Sequence, residues 1–408
     1  MKVLVLNEGS SSHKAALYAL QTLPKDPLAP IWEGRVVWQH PERMQGKARL
    51  EAKTESKTIH REIEAASPAL AIRQMLHTID ELSVLPTHEK LDAVGHRVVH
   101  GGEKYFEPTL ITHTVKRDIQ LAAELAPLHN TIALEGIQAV EEHFGEIPQI
   151  AVFDTSFHRT LPEEAALYAG PYAWKELGFH RYGFHGISHR YVTSRAASIL
   201  RRDLSPLRVI SCHLGNGCSL AAVQNGRSVA TTMGFTPLEG LMMGTRSGSI
   251  DPGLLLYLLK RGHYTVEELE QVLERQSGLL GISGISSSMQ EIEAAMQKGE
   301  RRAELAFRMF VQRLCWHIGA MSACLEGLDV LIFTGGIGEK SHRVREATCQ
   351  RLAFLGITLD KNKNMSTTED EDIAAPSSPI RVLVIHTNEE WAIAQACWQL
   401  LNRENAVD

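Results

Sequence analysis

At 408 residues the chain is long enough for two domains, each with its own core. Hydrophobic content of 44% beside 22% charged residues is ordinary for a soluble globular protein, and a formal net charge of -6 with no long Lys/Arg block argues against nucleic acid as the main partner. No apolar run approaches the ~20 residues of a membrane span, which argues against a membrane partner, and the run near the start is far too short for a signal peptide. The six cysteines (212, 218, 315, 324, 349 and 397) form no C-x-x-C pair and mostly sit inside apolar segments, so they read as reduced core thiols of a cytoplasmic protein.

The first element in chain order is an apolar run, Val3-Leu4-Val5-Leu6, which stops at Asn7 and opens into Gly9-Ser10-Ser11-Ser12-His13-Lys14. A short buried strand emptying into a small, hydroxyl-rich loop followed by a lysine suits an anion. Glycine admits close backbone approach, hydroxyls and N–H groups donate, and the lysine supplies charge. Phosphate is the natural guest, although nothing reads G-x-x-x-x-G-K-[ST] and P-loop mechanics do not transfer. Residues 61–82 and 114–126 read as helices, and Gln149 to Phe153 as a buried strand delivering Asp154. Val209 to Cys212 is a second short strand, followed by His213-Leu214-Gly215-Asn216-Gly217, a further apolar stretch (Leu220 to Val223) and an Asn225-Gly226 hairpin signal. Two such strand-loop-strand units suggest a duplicated domain with one loop facing the other across a cleft; two unrelated hairpins are the alternative.

Residues 252–325 form a helical block broken by a Gly- and Ser-rich turn from Gly278 to Ser288. Within it Phe307, Phe310, Val311, Leu314, Ile318, Met321 and Leu325 have the spacing of a core or dimer-interface helix. The run Val330 to Phe333 ends in a turn, Thr334-Gly335-Gly336-Ile337-Gly338-Glu339, before a helix starting near Ser341. Glycine at the carboxyl end of a buried strand in an α/β chain is where nucleotides usually bind. A polar surface loop (361–378), the strand Ile380 to Ile385 and a last helix complete the chain. Strands and helices alternate throughout, the α/β signature.

Several polar clusters can carry chemistry. Gly95-His96-Arg97-Val98-Val99-His100-Gly101-Gly102 sets a guanidinium among glycines, and Gly244-Thr245-Arg246-Ser247-Gly248 does so again. Arginine offers a planar fork of donors for carboxylate or phosphoryl oxygens; one such residue reads as a structural ion pair, two in small-residue settings as an anion clamp. Phe153-Asp154-Thr155-Ser156-Phe157-His158 sets a carboxylate at a strand end, and Tyr182-Gly183-Phe184-His185-Gly186-Ile187-Ser188-His189 sets two histidines at a helix start. There is no H-E-x-x-H and no cysteine partner for zinc, and with 19 histidines chance proximity is an alternative.

Together with Met233 to Gly240 and Thr387-Asn388-Glu389-Glu390, these motifs run nearly end to end in the order of the acetate kinase family (acetate and propionate kinases, within the superfamily of sugar kinases, actin and heat-shock ATPases), which the chain resembles. The resemblance implies two ribonuclease-H-like domains of duplicated βββαβαβα type flanking an active-site cleft: residues 1–154 plus about 388–408 as the substrate and magnesium side, and 155–387 as the nucleotide-binding and dimerisation domain. It implies reversible transfer of the γ-phosphoryl group of ATP to acetate, giving acetyl phosphate and ADP, with Mg²⁺ or Mn²⁺ and a homodimer. It gives Asn7 and Glu389 as metal-side ligands, and Lys14 and Ser12 on the nucleotide phosphates. Arg97 and Arg246 become the carboxylate and phosphoryl clamps, His185 the transition-state stabiliser and Asp154 the catalytic carboxylate. His213 to Gly217, Ser288 to Gln290 and Gly335 to Glu339 (with Gly336, Ile337 and Gly338 between) become the ATP-binding segments, and Val99, Leu128, Phe184 and Pro237 the apolar pocket for the alkyl tail.

A carboxylate substrate is already ionised at pH 7, with a pKa of about 4 to 5, so attack needs no general base. Asp154 is therefore better read as orienting an arginine or a magnesium-bound water. Three departures stand out. Ser288-Met289-Gln290 occupies the place where the family commonly has Asp-x-Arg against the nucleotide base, and Ala230 and Ser249 stand where it usually carries Asp. An active kinase with altered nucleotide affinity or preference is the expectation. A propionate kinase is the alternative within the class, and a non-catalytic binding relative the alternative outside it.

Overall fold

The computed structural model describes residues 1–9, 12–24, 26–38, 46–86, 89–124 and 126–404, and the chain divides into two compact units, Met1–Ser156 with Asn388–Asp408, and Phe157–Thr387. In the first, β1 (Lys2–Glu8), β2 (Ser12–Ala19) and β3 (Trp32–Trp38) form an antiparallel meander extended by β4 (Gly46–Lys53) and β5 (Thr58–Ala65). Beyond β1 come β6 (Ala93–Val98), the edge strand β7 (Thr109–Leu110) and β8 (Gln149–Phe153), giving the order β5-β4-β3-β2-β1-β6-β8-β7. In the second unit β9 (Arg208–Leu214), β10 (Cys218–Gln224), β11 (Arg227–Thr231), β12 (Val330–Thr334), β13 (Glu371–Asp372) and β14 (Arg381–Val384) take the order β11-β10-β9-β12-β14-β13.

Without the edge strands the two sheets share one plan. A meander, β3-β2-β1 or β11-β10-β9, is followed by two parallel strands, β6-β8 or β12-β14. This is the duplicated ribonuclease-H-like α/β fold. β1 is buried on both faces, as its unbroken apolar run demands. Leu4 and Leu6 join the core under the helices Pro68–Glu81 and Pro127–Phe144, while Gly95 of β6 lies so close to the last helix (Glu389–Glu404) that a Cβ would come within 2.6 Å of Cys397 Sγ and Ile393 Cγ2. In the second unit Asn225 (φ 53°) and Gly226 (φ 71°) make the tight β10–β11 turn that the dipeptide signals.

Several boundaries differ from the sequence expectation. The stretch 61–82 splits, because Thr58–Ala65 pairs with β4 and the helix starts only at Pro68, where Ser67 accepts from the Leu70 N–H. Alternation of exposed Glu62 and Glu64 with buried Ile63 and Ala65 was the period-two signal. The second helix stops at Ala122. Ser12, His13 and Lys14 lie on β2, leaving a shorter first loop whose Ser10 and Ser11 fall outside the described residues. His213 and Leu214 likewise lie on β9. Gly278–Ser283 and Gly335–Lys340 are short helices rather than turns, and the polar stretch after residue 360 carries a helix, Lys361–Ser366, capped by Asp360, and β13. Tertiary packing supplies the helical turns that glycine content disfavours locally. The long helix Arg301–Cys324 buries Phe307, Phe310, Val311, Leu314, Ile318 and Met321, as its spacing requires. All six cysteines are free; Cys212, Cys218, Cys349 and Cys397 are buried, whereas Cys315 is half-buried and Cys324 exposed.

Candidate active site

In the first unit the register pairs Leu6 with His96 and Val98 with Phe153, so Asn7, Arg97 and Asp154 leave three neighbouring strands at one sheet end. Arg97 donates from Nε (3.0 Å) and Nη2 (2.5 Å) to Asp154 Oδ2 and from Nη1 to Asn7 Oδ1 (3.3 Å). Asn7 Nδ2 in turn donates to Glu389 Oε2 (3.0 Å) and Glu390 Oε1 (2.9 Å). Both glutamates open the last helix, where the positive end of the helix dipole favours them. Lys14, opposite Asn7 on β2, brings its ammonium to 3.9 Å from Glu390. Burial opposes the charge on Arg97, but the carboxylates of Asp154, Glu389 and Glu390 outweigh it and hold its pKa above the ordinary value.

Three carboxylates (Asp154, Glu389, Glu390) here face two cations (Arg97, Lys14), an excess of one negative charge. Oxygen donors with surplus negative charge suit a hard divalent cation. No group of three or more His, Cys, Asp or Glu among the described residues is gathered to hold a metal alone, so such a cation would share waters or phosphates. On the opposite sheet face Glu8 is turned inward, with no hydrogen-bond partner for its carboxyl among the described residues, and burial pushes its pKa up to about 8. Val99, just past β6, is buried in a turn pinned by Asn130, which accepts from the His100 N–H (3.1 Å) and donates to the His100 carbonyl (3.0 Å). Leu128 lies in the helix Pro127–Phe144, its side chain outside the described residues.

In the second unit His185 caps the helix Gly186–Leu200 from the left-handed region (φ 55°). Its Nδ1 is 2.8 Å from Ser219 Oγ, and its ring stacks on His213 with centroids 4.1 Å apart. A Cβ on Gly217 would lie 3.3 Å from Arg246 Nη1 and 3.4 Å from His185 Nε2, so glycine loop, guanidinium and imidazole converge. Arg246 donates to the Pro237 carbonyl (3.4 Å) and has no ion-pair partner among the described residues. Burial draws its pKa down, while Glu274 opposes the shift. A cation set beside an imidazole and a glycine loop without a paired carboxylate suits an anion.

The loop bearing Pro237 is braced by a group that sequence reasoning missed. Tyr168 donates to Glu239 Oε2 (2.7 Å) and accepts from the Phe235 N–H (2.7 Å), and Arg181 pairs with Glu239 Oε1 (2.9 Å) while donating to the carbonyls of Thr232 and Met233. Glu239 lies in the motif Met233 to Gly240, but no local motif marks Tyr168 or Arg181, which are far from it in sequence. Phe184 is buried and Pro237 half-buried. Gly335, at φ 75°, packs against the backbone of Leu214, and Glu339 spends Oε1 on the N–H groups of Gly335 and Thr387, a structural use of a residue expected at the nucleotide. A Cβ on Gly336 would meet open space. Ile337 is buried. Met289 is turned into the core at 3% exposure, leaving Ser288 and Gln290 as the accessible members of their triplet. Ser249 accepts from the Gly240 N–H (3.1 Å), and Ala230 lies on β11.

Two ribonuclease-H-like sheets, one with an ion-pair network at its strand ends and one beside a guanidinium, an imidazole and a glycine loop, suit an α/β phosphotransferase. The acetokinase family model matches residues 2–395. The chain is 53% identical over 411 residues to an acetate kinase of Trichormus variabilis, covering 99% of this chain and 100% of that protein, and 52% identical over 408 residues to one of Gloeobacter violaceus, with the same coverage. The crystal structure of Porphyromonas gingivalis acetate kinase superposes with a TM-score of 0.87 at 39% identity, covering 98% of this chain and 99% of that one. A propionate kinase from Francisella tularensis gives 0.87 at 39%, covering 97% and 98%. The chain belongs to the acetokinase family, kinases that transfer a phosphoryl group to a carboxylate.

Proposed function

We propose that the chain is an acetate kinase, moving the γ-phosphoryl group of ATP reversibly to acetate, with acetyl phosphate and ADP as products of direct in-line attack. Relatives named acetate kinase at about half identity over the whole chain support the reaction. The observation that carries it to these residues is Arg246, a guanidinium with no ion-pair partner among the described residues, beside His185 and Gly217. Arg246 and His185 serve as donors to the phosphoryl oxygens, where charge is spread in the transition state. Arg97 serves as the clamp on the acetate carboxylate. Asp154 gives one oxygen to two Arg97 donors, the geometry of an anchor, and no proton needs removing from an ionised substrate. Val99 and Leu128 of the first unit and Phe184 and Pro237 of the second serve the alkyl group.

Asn7 and Glu389, oxygen donors in a cluster with surplus negative charge, would hold Mg²⁺ or Mn²⁺, which when bound offsets charge on the nucleotide phosphates. Ser12, Lys14, His213 to Gly217 and Gly335 to Gly338 serve the ATP and ADP phosphates, with Ser288 and Gln290 near the base. The second unit also serves as the dimerisation domain of a homodimer. Its helix Pro252–Lys260 has no buried residue, with Leu254, Leu256 and Tyr257 at 42%, 54% and 53% exposure, more apolar surface than one free helix normally shows water. Free thiols accord with a cytoplasmic location.

Propionate is the second reading, favoured by the equal likeness to a propionate kinase structure. One methylene is worth about 1–3 kcal/mol of discrimination. A hydroxamate assay with acetate, propionate and butyrate ranks them. Acetate turnover exceeding the others supports the proposal, a propionate optimum replaces it, and inactivity on all three points to a binding relative.

A further inference from the structure

The expected donor His185 ends a chain of hydrogen bonds that runs through the second unit. Ser219 Oγ lies 2.8 Å from His185 Nδ1 and 2.8 Å from His189 Nε2, and His189 Nδ1 lies 2.9 Å from Ser211 Oγ. His189, Ser211 and Ser219 are all fully buried. Burial, with His158 and His213 adding to it, holds the His189 pKa well below its ordinary value. His189 is therefore a neutral ring with one N–H.

A hydroxyl carries one hydrogen, so the bond between Ser219 Oγ and His185 Nδ1 runs one of two ways. In one, His189 Nε2–H donates to Ser219 and Ser219 donates to His185 Nδ1, which leaves the proton of His185 on Nε2. In the other, His185 donates from Nδ1 and turns a lone pair outward at Nε2. Nε2 is the atom beside Gly217 and Arg246, where the bound group would be an anion with acceptor oxygens only. A lone pair there would repel it.

We propose that Ser219 is a positioning residue which, held by His189, donates to His185 Nδ1 and so fixes the Nε2–H tautomer that faces the phosphoryl group. The inference rests on the kinase reading given above. His185 then supplies a hydrogen bond and transfers no proton, consistent with a carboxylate nucleophile that has none to give.

The test uses the full chain labelled with ¹⁵N-histidine and long-range ¹H–¹⁵N correlation, with His185 assigned by the signals lost in His185→Asn; Asn tolerates the left-handed backbone at that site. The expected wild-type spectrum shows Nε2 protonated and Nδ1 bare. In Ser219→Ala the ring populates both tautomers, and kcat falls ~3–10-fold, the worth of one oriented hydrogen bond, with KM for acetate and ATP unchanged. Ser219→Thr, which keeps the hydroxyl, restores both the spectrum and kcat. A ring protonated on Nδ1 or on both nitrogens in the wild type overturns the proposal whatever the variants do, and so does an unchanged spectrum in a folded Ser219→Ala. Because the spectrum is read without substrate, a wild type inactive on every short carboxylate would sink the kinase reading separately.

Discussion

Replacing Asp154 by Asn separates the two roles a carboxylate can play beside a phosphoryl group. Asp154 is fully buried and accepts from both Nε and Nη2 of Arg97 on one oxygen. The substitution keeps the shape but removes the charge and puts an amide where two N–H donors converge. Two charge-assisted hydrogen bonds are worth about 1.5–3 kcal/mol each. Misaligning Arg97 should therefore cost ~3–5 kcal/mol, and at about 1.4 kcal/mol per decade that is roughly a hundred- to a few-thousand-fold in kcat/KM. An anchor acts through the position of Arg97, so the loss should be the same at every pH where wild type is active. A proton acceptor would act through its own ionisation, and the deficit would then change with pH. The assay is kcat/KM for acetate by hydroxamate trapping across the pH range, with circular dichroism to show that the variant is folded. Near-wild-type activity, or a deficit that varies with pH, refutes the anchor.

Glu8 gives a stability test away from the reacting atoms. A Cβ on Gly136 would run into Glu8 Oε1, so Gly136→Ala should destabilise by about 1–3 kcal/mol in urea, and the loss should largely disappear in a Glu8→Ala background; additive effects would show that the two do not touch. His96 and His158 are buried with pKa values lowered to about 4, chiefly by burial. Their stabilising effect is complete above the ordinary value of about 6.5 and is lost as pH falls through the interval down to about 4, roughly 2 kcal/mol each by pH 5. The urea midpoint should drop between pH 7.5 and 5, and His96→Gln should flatten that drop; equal slopes would contradict it. Tyr168→Phe, which loosens the loop of Pro237, should lower kcat/KM for acetate ~2–10-fold and narrow the preference over propionate, and an unchanged ratio would show that the brace does not reach the pocket.

The duplicated plan was legible because each half opens with an apolar run buried on both faces, β1 and β9, which no exposed element would carry. Asn7, Arg97, Asp154, His185 and Arg246 were also legible, since each follows or ends an apolar run or sits among small residues. Element boundaries inside glycine-rich stretches were not. Gly335–Lys340 is a helix because Gly335, at φ 75°, turns the chain out of β12 and Glu339 closes the first turn on the Gly335 N–H, a bond between residues four apart that propensity does not foresee. Met289 differs in the other direction. Its place in a familiar motif suggested a nucleotide contact, and its buried side chain serves the core. The His189 link had a weak signal: four residues separate it from His185, one helical turn, so both rings reach the same strand.

Charge explains why the two clusters differ in kind. In the first unit Arg97 is held by Asp154 and Asn7, and Asn7 by Glu389 and Glu390, so the side chains fix one another before any ligand arrives. That network is preorganised, and its surplus is negative. In the second unit burial draws the pKa of Arg246 down, and the guanidinium donates to the Pro237 carbonyl and the Met243 sulfur. Its cost in the unliganded fold is offset only when an anion binds, so much of the binding energy of the phosphoryl group is realised at one arginine. Substituting that arginine removes a charge that no ion pair in the described unit holds, whereas substituting Arg97 leaves Asp154 buried and uncompensated. The first change should weaken phosphate binding with little loss of stability, and the second should damage both.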